Sequence, residues 1–229
     1  MAILSAEKVW DLNKEELLNL LDSKVLMPSH RDVRFYAPSF TYYKTRYFCS
    51  SPNLFPTFSV TGTSCALNCK HCGGKVLSTM HSAESADKLF SLCFKLKQNG
   101  ALGCLISGGC LPDGSVPLKQ YASTIEKIKR ELDLTVFVHS GVIDEETAVL
   151  LKSVGVDAVL IDVIGSQETI RCVYNFEVDV SDYADSLRAL SGAGLRFVPH
   201  VIVGLNEGKL DGELEALRMI KQTTPSAIV

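Results

Sequence analysis

The chain has 229 residues, of which 46% are hydrophobic and 21% charged, and its net charge at pH 7 is −3. This length suits one large domain better than two. The net negative charge does not indicate a basic surface for nucleic acid or anionic lipid. The apolar runs are far shorter than the roughly 20 residues that cross a bilayer. The first residues lack a secretory signal, so we expect a cytoplasmic protein with no nucleic-acid or membrane partner.

Residues 1–55 are predicted to form an N-terminal extension ahead of a repeating region, residues 56–229. Within the extension, residues 5–23 predict a helix, marked by four leucines: Leu17, Leu18, Leu20 and Leu21. An irregular aromatic stretch over residues 34–47 then leads into the repeating region.

From residue 58 onward, short apolar runs alternate with amphipathic stretches. The runs predict strands, at residues 58–61, 103–107, 135–139, 158–164 and 196–203. Helical spacing of apolar residues predicts a helix after each strand; the third begins near Asp144 and ends at Gly155. Nearly continuous apolar strands are typical of a parallel sheet that is covered on both faces. The alternation predicts an α/β fold, either a barrel or a doubly wound sheet.

The last residues, Ala227 to Val229, look like the start of a sixth strand that is cut short. Either the chain is a fragment of a longer protein, or something else covers the open edge of the sheet.

The eight cysteines need an explanation, since metal binding or burial is more common than disulfides in a reducing cytosol. Cys65, Cys69 and Cys72 fall within eight residues. Thiolates suit zinc, Cu(I) and iron–sulfur clusters. A structural zinc site needs four ligands, and no second pair of Cys or His residues follows at the spacing typical of zinc sites. A zinc knuckle nevertheless remains an alternative. Three thiolates on one loop suit a cubane cluster whose fourth iron is free to bind another molecule.

The CxxxCxxC spacing on the loop after the first predicted strand resembles the signature of the radical S-adenosylmethionine (SAM) superfamily. His71 takes the position where that family usually has an aromatic residue. The resemblance implies a partial (β/α)6 TIM-like barrel with an N-terminal helical extension. It also implies a [4Fe–4S] cluster on Cys65, Cys69 and Cys72, with SAM bound at the open iron. A reductant such as ferredoxin or flavodoxin would supply the electron that cleaves SAM to methionine and a 5′-deoxyadenosyl radical.

Further positions of the resemblance lie at strand ends, where barrel enzymes place their sites. Ser107-Gly108-Gly109 resembles the glycine motif beside the SAM amino group, although Cys110 follows where the family often has Glu. Residues 200–207 resemble the GxIxGxxE segment beside the adenine, with His200 in place of the first glycine. Asp162 fits the position near the ribose, and Arg171 is either a carboxylate clamp or a surface residue. The implied SAM-binding set is His71, Ser107, Gly108, Gly109, Asp162, Arg171, Ile202, Gly204 and Glu207.

The other thiols and two histidines have less certain roles. Cys49 and Cys110 are candidate ligands of an auxiliary iron–sulfur cluster, whereas Cys93 and Cys104 fit core packing and Cys172 is ambiguous. His139 and His200 are either contacts to substrate or core histidines with satisfied hydrogen bonds. The sequence assigns no catalytic residue.

The chain is similar to biotin synthase and resembles archaeal-type biotin synthase homologues that act in two-protein lipoyl synthases. The resemblance implies sulfur insertion at unactivated carbons, with a second radical SAM subunit and an acyl-carrying protein as partners. Such chemistry normally needs an auxiliary cluster, and the sequence has no second compact cysteine motif. The alternatives are another C–H abstraction on a small metabolite and a non-catalytic iron–sulfur partner subunit.

Overall fold

The computed structural model describes residues 12–22, 46, 53–174 and 176–229. The chain divides into two compact units, residues 1–37 and 38–229, whereas the sequence placed its boundary at residue 55, which stays a prediction. In the first unit, helix α1 spans Lys14–Asp22. Asn13 caps it: its side chain accepts the backbone N–H of Glu15 and of Glu16, and the Glu16 carboxylate accepts the N–H of Asn13 in return.

The second unit contains one parallel sheet of six strands in the order β2-β1-β3-β4-β5-β6. The strands are β1 (Thr57–Ser59), β2 (His81–Ser82), β3 (Gly103–Ser107), β4 (Thr135–His139), β5 (Ala158–Asp162) and β6 (Phe197–His200). This confirms the predicted α/β class and places β3 and β4 at the predicted residues. The two-residue strand β2, at the sheet edge, was not predicted.

Helices follow most of the strands. They are α2 (Ala86–Gln98), α3 (Ala122–Leu132), α4 (Glu145–Ser153), α5 (Gln167–Thr169), α6 (Val180–Gly192) and α7 (Glu213–Lys221). Helix α5 continues directly into a π-helical turn, Ile170–Tyr174, and two 3₁₀ helices cover Lys75–Thr79 and Lys119–Tyr121. No helix within the described ranges is both long and apolar enough to span a membrane.

The two faces of the sheet differ in burial. Val136, Val138 and Ile161 point to one face and are fully buried, in a core that also includes residues of the covering helices. Side chains alternate along a strand, so the intervening residues point to the opposite face, where His139 and Asp162 are only half-buried. Polar groups at the carboxyl ends of β4, β5 and β6 are therefore presented on the less covered face.

Three predicted strands end earlier than their apolar runs, and the first of them, predicted over 58–61, forms β1 only to Ser59. The run predicted over 158–164 forms a strand only to Asp162, and the run over 196–203 only to His200. Beyond β6, Ile202 and Val203 are exposed, and the chain turns at Gly204, whose φ is 75°. A strand cannot continue through this left-handed turn.

Residues 227–229 lie beside β6. Val229 N donates to Pro199 O (3.0 Å) and Val201 N donates to Val229 O (2.7 Å), which is the bonding pattern of a parallel pair. The segment forms this one pairing rather than a defined strand.

Candidate functional site

The cysteine loop, residues 60–74, leaves the carboxyl end of β1. A tight turn brings two of its cysteines together, because the backbone N–H groups of Cys72 and Gly73 both donate to Cys69 O, at 3.2 and 2.7 Å. Asn68 and Gly73 adopt positive φ angles of 45° and 52° on either side of this turn. The loop therefore curls around Cys69.

Backbone contacts from two distant elements hold the loop. Ala66 N donates to Cys110 O (2.9 Å) after β3, and Lys70 N donates to Val173 O (2.8 Å). The Cys69 thiol donates to Tyr174 O at 3.4 Å. Val173 and Tyr174 end the π-helical turn, where the last carbonyls have no partner within the helix. The end of that turn therefore serves as an anchor for the cysteine loop.

Thr61 and Gly109 join the cysteine loop to the end of β3. The Thr61 hydroxyl accepts a hydrogen bond from Gly109 N (2.7 Å) and donates one to Ser64 O (2.8 Å). A Cβ at position 109 would overlap Ser64 O and lie 2.7 Å from Cys65 Cα. Glycine is thus required there for close packing. Thr61 was not among the predicted site residues, and its only signal is its place at the end of the first predicted strand.

The three cysteines line one cavity of about 370 Å³. The predicted residues that share it are His71, Ser107, Gly108, Gly109, Cys110 and Asp162, joined by His139 and Tyr174. Tyr174 is of interest because its ring packs 5.0 Å from that of His71, and its buried hydroxyl has no hydrogen-bond partner among the described residues.

The remaining predicted site residues do not line this cavity. Glu207 lines a neighbouring cavity of about 550 Å³, and His71 borders both. Ile202 and Gly204 lie in the turn after β6, and Arg171 is exposed on the π-helical turn. Cys49 lies outside the described residues.

Two thiols of the site, those of Cys69 and Cys110, are poorly suited to exist as isolated thiolates. Burial, reinforced by the neighbouring Cys72 and Cys65, raises the pKa of Cys69 to about 12. Burial, reinforced by the neighbouring Cys65 and Cys69, also raises the pKa of Cys110 to about 12. Deprotonated cysteines here need a cation to compensate their charge, and soft metals do this by direct ligation. All the described cysteines are free thiols, so the donor set fits an iron–sulfur cluster.

A second polar group faces the same cavity. His139 Nε2 and His200 Nδ1 each lie 3.5 Å from the same oxygen, Asp162 Oδ1. Burial favours the neutral carboxyl, but the two histidines outweigh it and hold the pKa of Asp162 well below its usual range. Burial likewise lowers the pKa of His139, yet the Asp162 carboxylate outweighs it and the net shift is upward. The sequence left open whether these two histidines are functional or belong to the core. In the structure His139 lines the cavity, and His200 lies beside Asp162, which also lines it.

Residues 59–219 match the Radical SAM superfamily, which is more than half of the chain. The chain therefore belongs to the radical SAM superfamily. Among curated proteins, it is similar to biotin synthase from Leptospira interrogans, with 25% identity over 220 residues. It is also similar to biotin synthase from Leptospira biflexa, with 26% identity over 220 residues. These alignments cover 90% and 92% of this chain but 60% and 57% of the relatives, so the chain spans less than two thirds of their length.

Two solved structures share the fold. Methylornithine synthase (PylB) superimposes with a TM-score of 0.62 at 14% identity, covering 98% of this chain and 63% of that one. HydG, a maturase of the [FeFe]-hydrogenase, superimposes with a TM-score of 0.62 at 15% identity. The match covers 96% of this chain and 48% of the HydG chain. At these identities the likeness concerns the fold, a partial TIM-like barrel.

Proposed function

We propose that this chain is a radical SAM enzyme that cleaves SAM reductively and uses the resulting radical to insert sulfur at unactivated carbons of a lipoyl-type acyl substrate. The observation that carries the first part is the cysteine loop. It places three free thiols on one anchored loop that lines a single cavity with the strand-end residues. The sulfur-insertion part rests on the similarity to biotin synthases.

Cys65, Cys69 and Cys72 would hold a [4Fe–4S] cluster. When bound, the cluster supplies the electron that cleaves SAM to methionine and a 5′-deoxyadenosyl radical, which abstracts hydrogen from substrate. The chain's own contribution is to fix the three thiols through backbone bonds and to exclude water, since Cys69 is buried at the cavity wall.

SAM would occupy the cysteine cavity and the neighbouring one. His71, Ser107, Gly108, Gly109 and Asp162 line the first cavity, and Glu207 lines the second, so a ligand passing His71 can reach both sets. In this arrangement the Asp162 carboxylate accepts hydrogen bonds from ribose hydroxyls. Arg171, Ile202 and Gly204 stay in the proposed set on the resemblance alone.

Sulfur insertion would require an auxiliary iron–sulfur cluster as sulfur source. Cys110 is a candidate ligand because it lines the same cavity as the three cluster cysteines, and Cys49 remains a candidate from the sequence. The proposal includes ferredoxin or flavodoxin as reductant, a second radical SAM subunit and an acyl-carrying protein.

A second candidate function is C–H abstraction on a small metabolite without sulfur transfer. It is favoured by one observation: within the described part of the chain, Cys110 is the sole further cysteine that lines the cavity. One thiol is too few to hold a second cluster in the usual four-thiolate way.

Anaerobic reconstitution with iron and sulfide tests the proposal and separates the two candidates. We expect 5′-deoxyadenosine to be released from SAM under a low-potential reductant. Bound iron of about eight per chain would support sulfur insertion, and about four would support simple abstraction. Iron binding without any deoxyadenosine would indicate a non-catalytic partner subunit, and one zinc with no iron would contradict the proposal altogether.

A further inference from the structure

Three adjacent parallel strands end in metal-ligating side chains. His139 ends β4, Asp162 ends β5 and His200 ends β6. Asp162 is paired directly with His200 across the β5–β6 ladder. His139 is paired with Leu160, two residues before Asp162, so its side chain points to the same face as Asp162. The sheet register therefore gathers all three groups on the less covered face.

The distances within this group are unusual for hydrogen bonds. Both histidine nitrogens lie 3.5 Å from Asp162 Oδ1, beyond the 2.7–3.2 Å of a typical N–H···O bond. In contrast, two ligand atoms bound tetrahedrally at about 2.1 Å from a metal are separated by about 3.4 Å. The three donor atoms all lie within 4.8 Å of one another, a spacing that one ion can bridge.

We propose that His139 Nε2, Asp162 Oδ1 and His200 Nδ1 bind one divalent transition-metal ion, distinct from the cluster on the cysteine loop. Two imidazoles and one carboxylate suit zinc and iron(II). Both histidine contacts use Asp162 Oδ1, which leaves Oδ2 for the ribose contact proposed above.

The site has a chemical consequence for the cavity. Three protein ligands leave a tetrahedral ion with an open fourth position, as in catalytic rather than structural zinc sites. His139 and Asp162 both line the cysteine cavity, so the open position is accessible to a molecule bound there. The ion can coordinate an oxygen, nitrogen or sulfur atom of that molecule and hold it near the cluster cysteines. This inference needs neither SAM nor the cluster and is independent of the proposed function.

Cobalt(II) is the probe of choice, because its visible absorption reports both ligand type and coordination number. The full chain carrying Cys65→Ser, Cys69→Ser and Cys72→Ser removes competing thiolates at the cysteine loop. We expect this variant to bind about one cobalt per chain with the intense visible bands of a tetrahedral nitrogen–oxygen site. Its thermal midpoint should rise with cobalt concentration, since a ligand that binds the folded state stabilises it.

Single substitutions in that background identify the ligands. Asp162→Asn and His200→Gln should each weaken cobalt binding by about 100-fold or more, because even residues that only orient a ligand contribute roughly 10- to 100-fold. His81→Gln is the matched control, since His81 is an exposed histidine on β2. Circular dichroism establishes that each variant is folded, and His139→Gln replaces any that is not. No cobalt binding by the starting variant, or binding that survives in Asp162→Asn and both histidine variants, would overturn the proposal.

Discussion

Two loops that leave carboxyl ends of the sheet are held in different ways. The cysteine loop is bonded to backbone carbonyls of other elements, at Cys110 and Val173, and is held internally by the Thr61 hydroxyl, which donates to Ser64 O. The loop of residues 201–212 is instead held by carboxylates. Glu213 Oε1 accepts the N–H of Gly204 (2.8 Å), and Asp211 accepts from the side chain of Asn206 (3.0 Å).

The difference follows from what each loop has to do. Backbone carbonyl oxygens accept hydrogen bonds at any pH, and burying them does not bury a charge. They therefore suit a loop whose thiols must keep a fixed geometry for a metal cluster. Carboxylates suit the more exposed loop, where Val203 and Leu210 are in contact with solvent. The cysteine loop should therefore be intolerant of small geometric changes, and the 201–212 loop should be tolerant but sensitive to acid.

The largest effect is expected from removing a cluster ligand. Cys69→Ala should lose the cluster on the cysteine loop, so reconstituted iron should fall by about four per chain relative to the parent and no deoxyadenosine should form. Iron analysis and product chromatography measure this. Cys172→Ala is the control, because Cys172 lies outside the cysteine cavity and should keep full iron. Equal iron in both variants would contradict the assignment of Cys69.

A substitution at Gly109 tests whether the loop tolerates displacement. In Gly109→Ala the added Cβ would collide with the backbone at Ser64, so the free energy of unfolding should fall by about 1–3 kcal/mol and iron retention should drop. Urea unfolding measures the first effect. Gly192→Ala is matched to it, since no atom beyond its chain neighbours and its own helix backbone lies within 4 Å of the added Cβ, and it should be neutral or stabilising by up to about 1 kcal/mol. If the two variants behave alike, close packing at position 109 is not the cause of the destabilisation.

The Thr61 hydroxyl gives a smaller change at the same junction. Thr61→Val keeps the shape but leaves Gly109 N without its acceptor, at an expected cost of about 1–2 kcal/mol in the free energy of unfolding. Thr61→Ser should recover most of this, because it restores the hydroxyl. If Thr61→Ser is as unstable as Thr61→Val, the hydrogen bonds are not the cause.

The smallest effect concerns the 201–212 loop and acid. Hydrogen bonds from Ser166, Thr169 and Asn206 lower the pKa of Asp211. Its contribution to stability is therefore fully present above the unfolded pKa of about 3.9 and is lost as the pH falls through the lower folded value. Asp211→Asn should be less stable than the parent at pH 6, by about 1 kcal/mol or less, and the difference should shrink toward pH 3.

Unfolding free energies measured from pH 6 to pH 3 test this sign. A difference at position 211 that stays constant with pH would mean that the amide replaces the carboxylate in every hydrogen bond.

Strong local patterns made much of the fold predictable. β3 and β4 are short apolar runs with clear ends, and they appear at the predicted residues. The runs at β5 and β6 predicted strands that were too long, because apolar residues such as Val203 continue past the point where the backbone turns. β2 and the π-helical turn gave no signal, since each depends on tertiary contacts rather than on periodicity.

The candidate site was predictable where its residues are close in sequence. The spacing of Cys65, Cys69 and Cys72 alone predicts that they are metal ligands. The association of His139 with Asp162 and His200 depends on strand register, and register requires the sheet order that a single sequence does not provide. Thr61 and Tyr174 were missed for a related reason, because their contacts join segments far apart in the chain.

The bond from Cys69 to Tyr174 spans 105 residues of sequence. During synthesis at about 5–20 residues per second, that separation corresponds to roughly 5–20 s between the emergence of the two residues from the ribosome. For that interval the three cysteines belong to a nascent chain whose anchor does not yet exist. We therefore expect cluster assembly to be a late, largely post-translational event, and a cell short of iron to accumulate a chain that is otherwise folded but has no metal on its three cysteines.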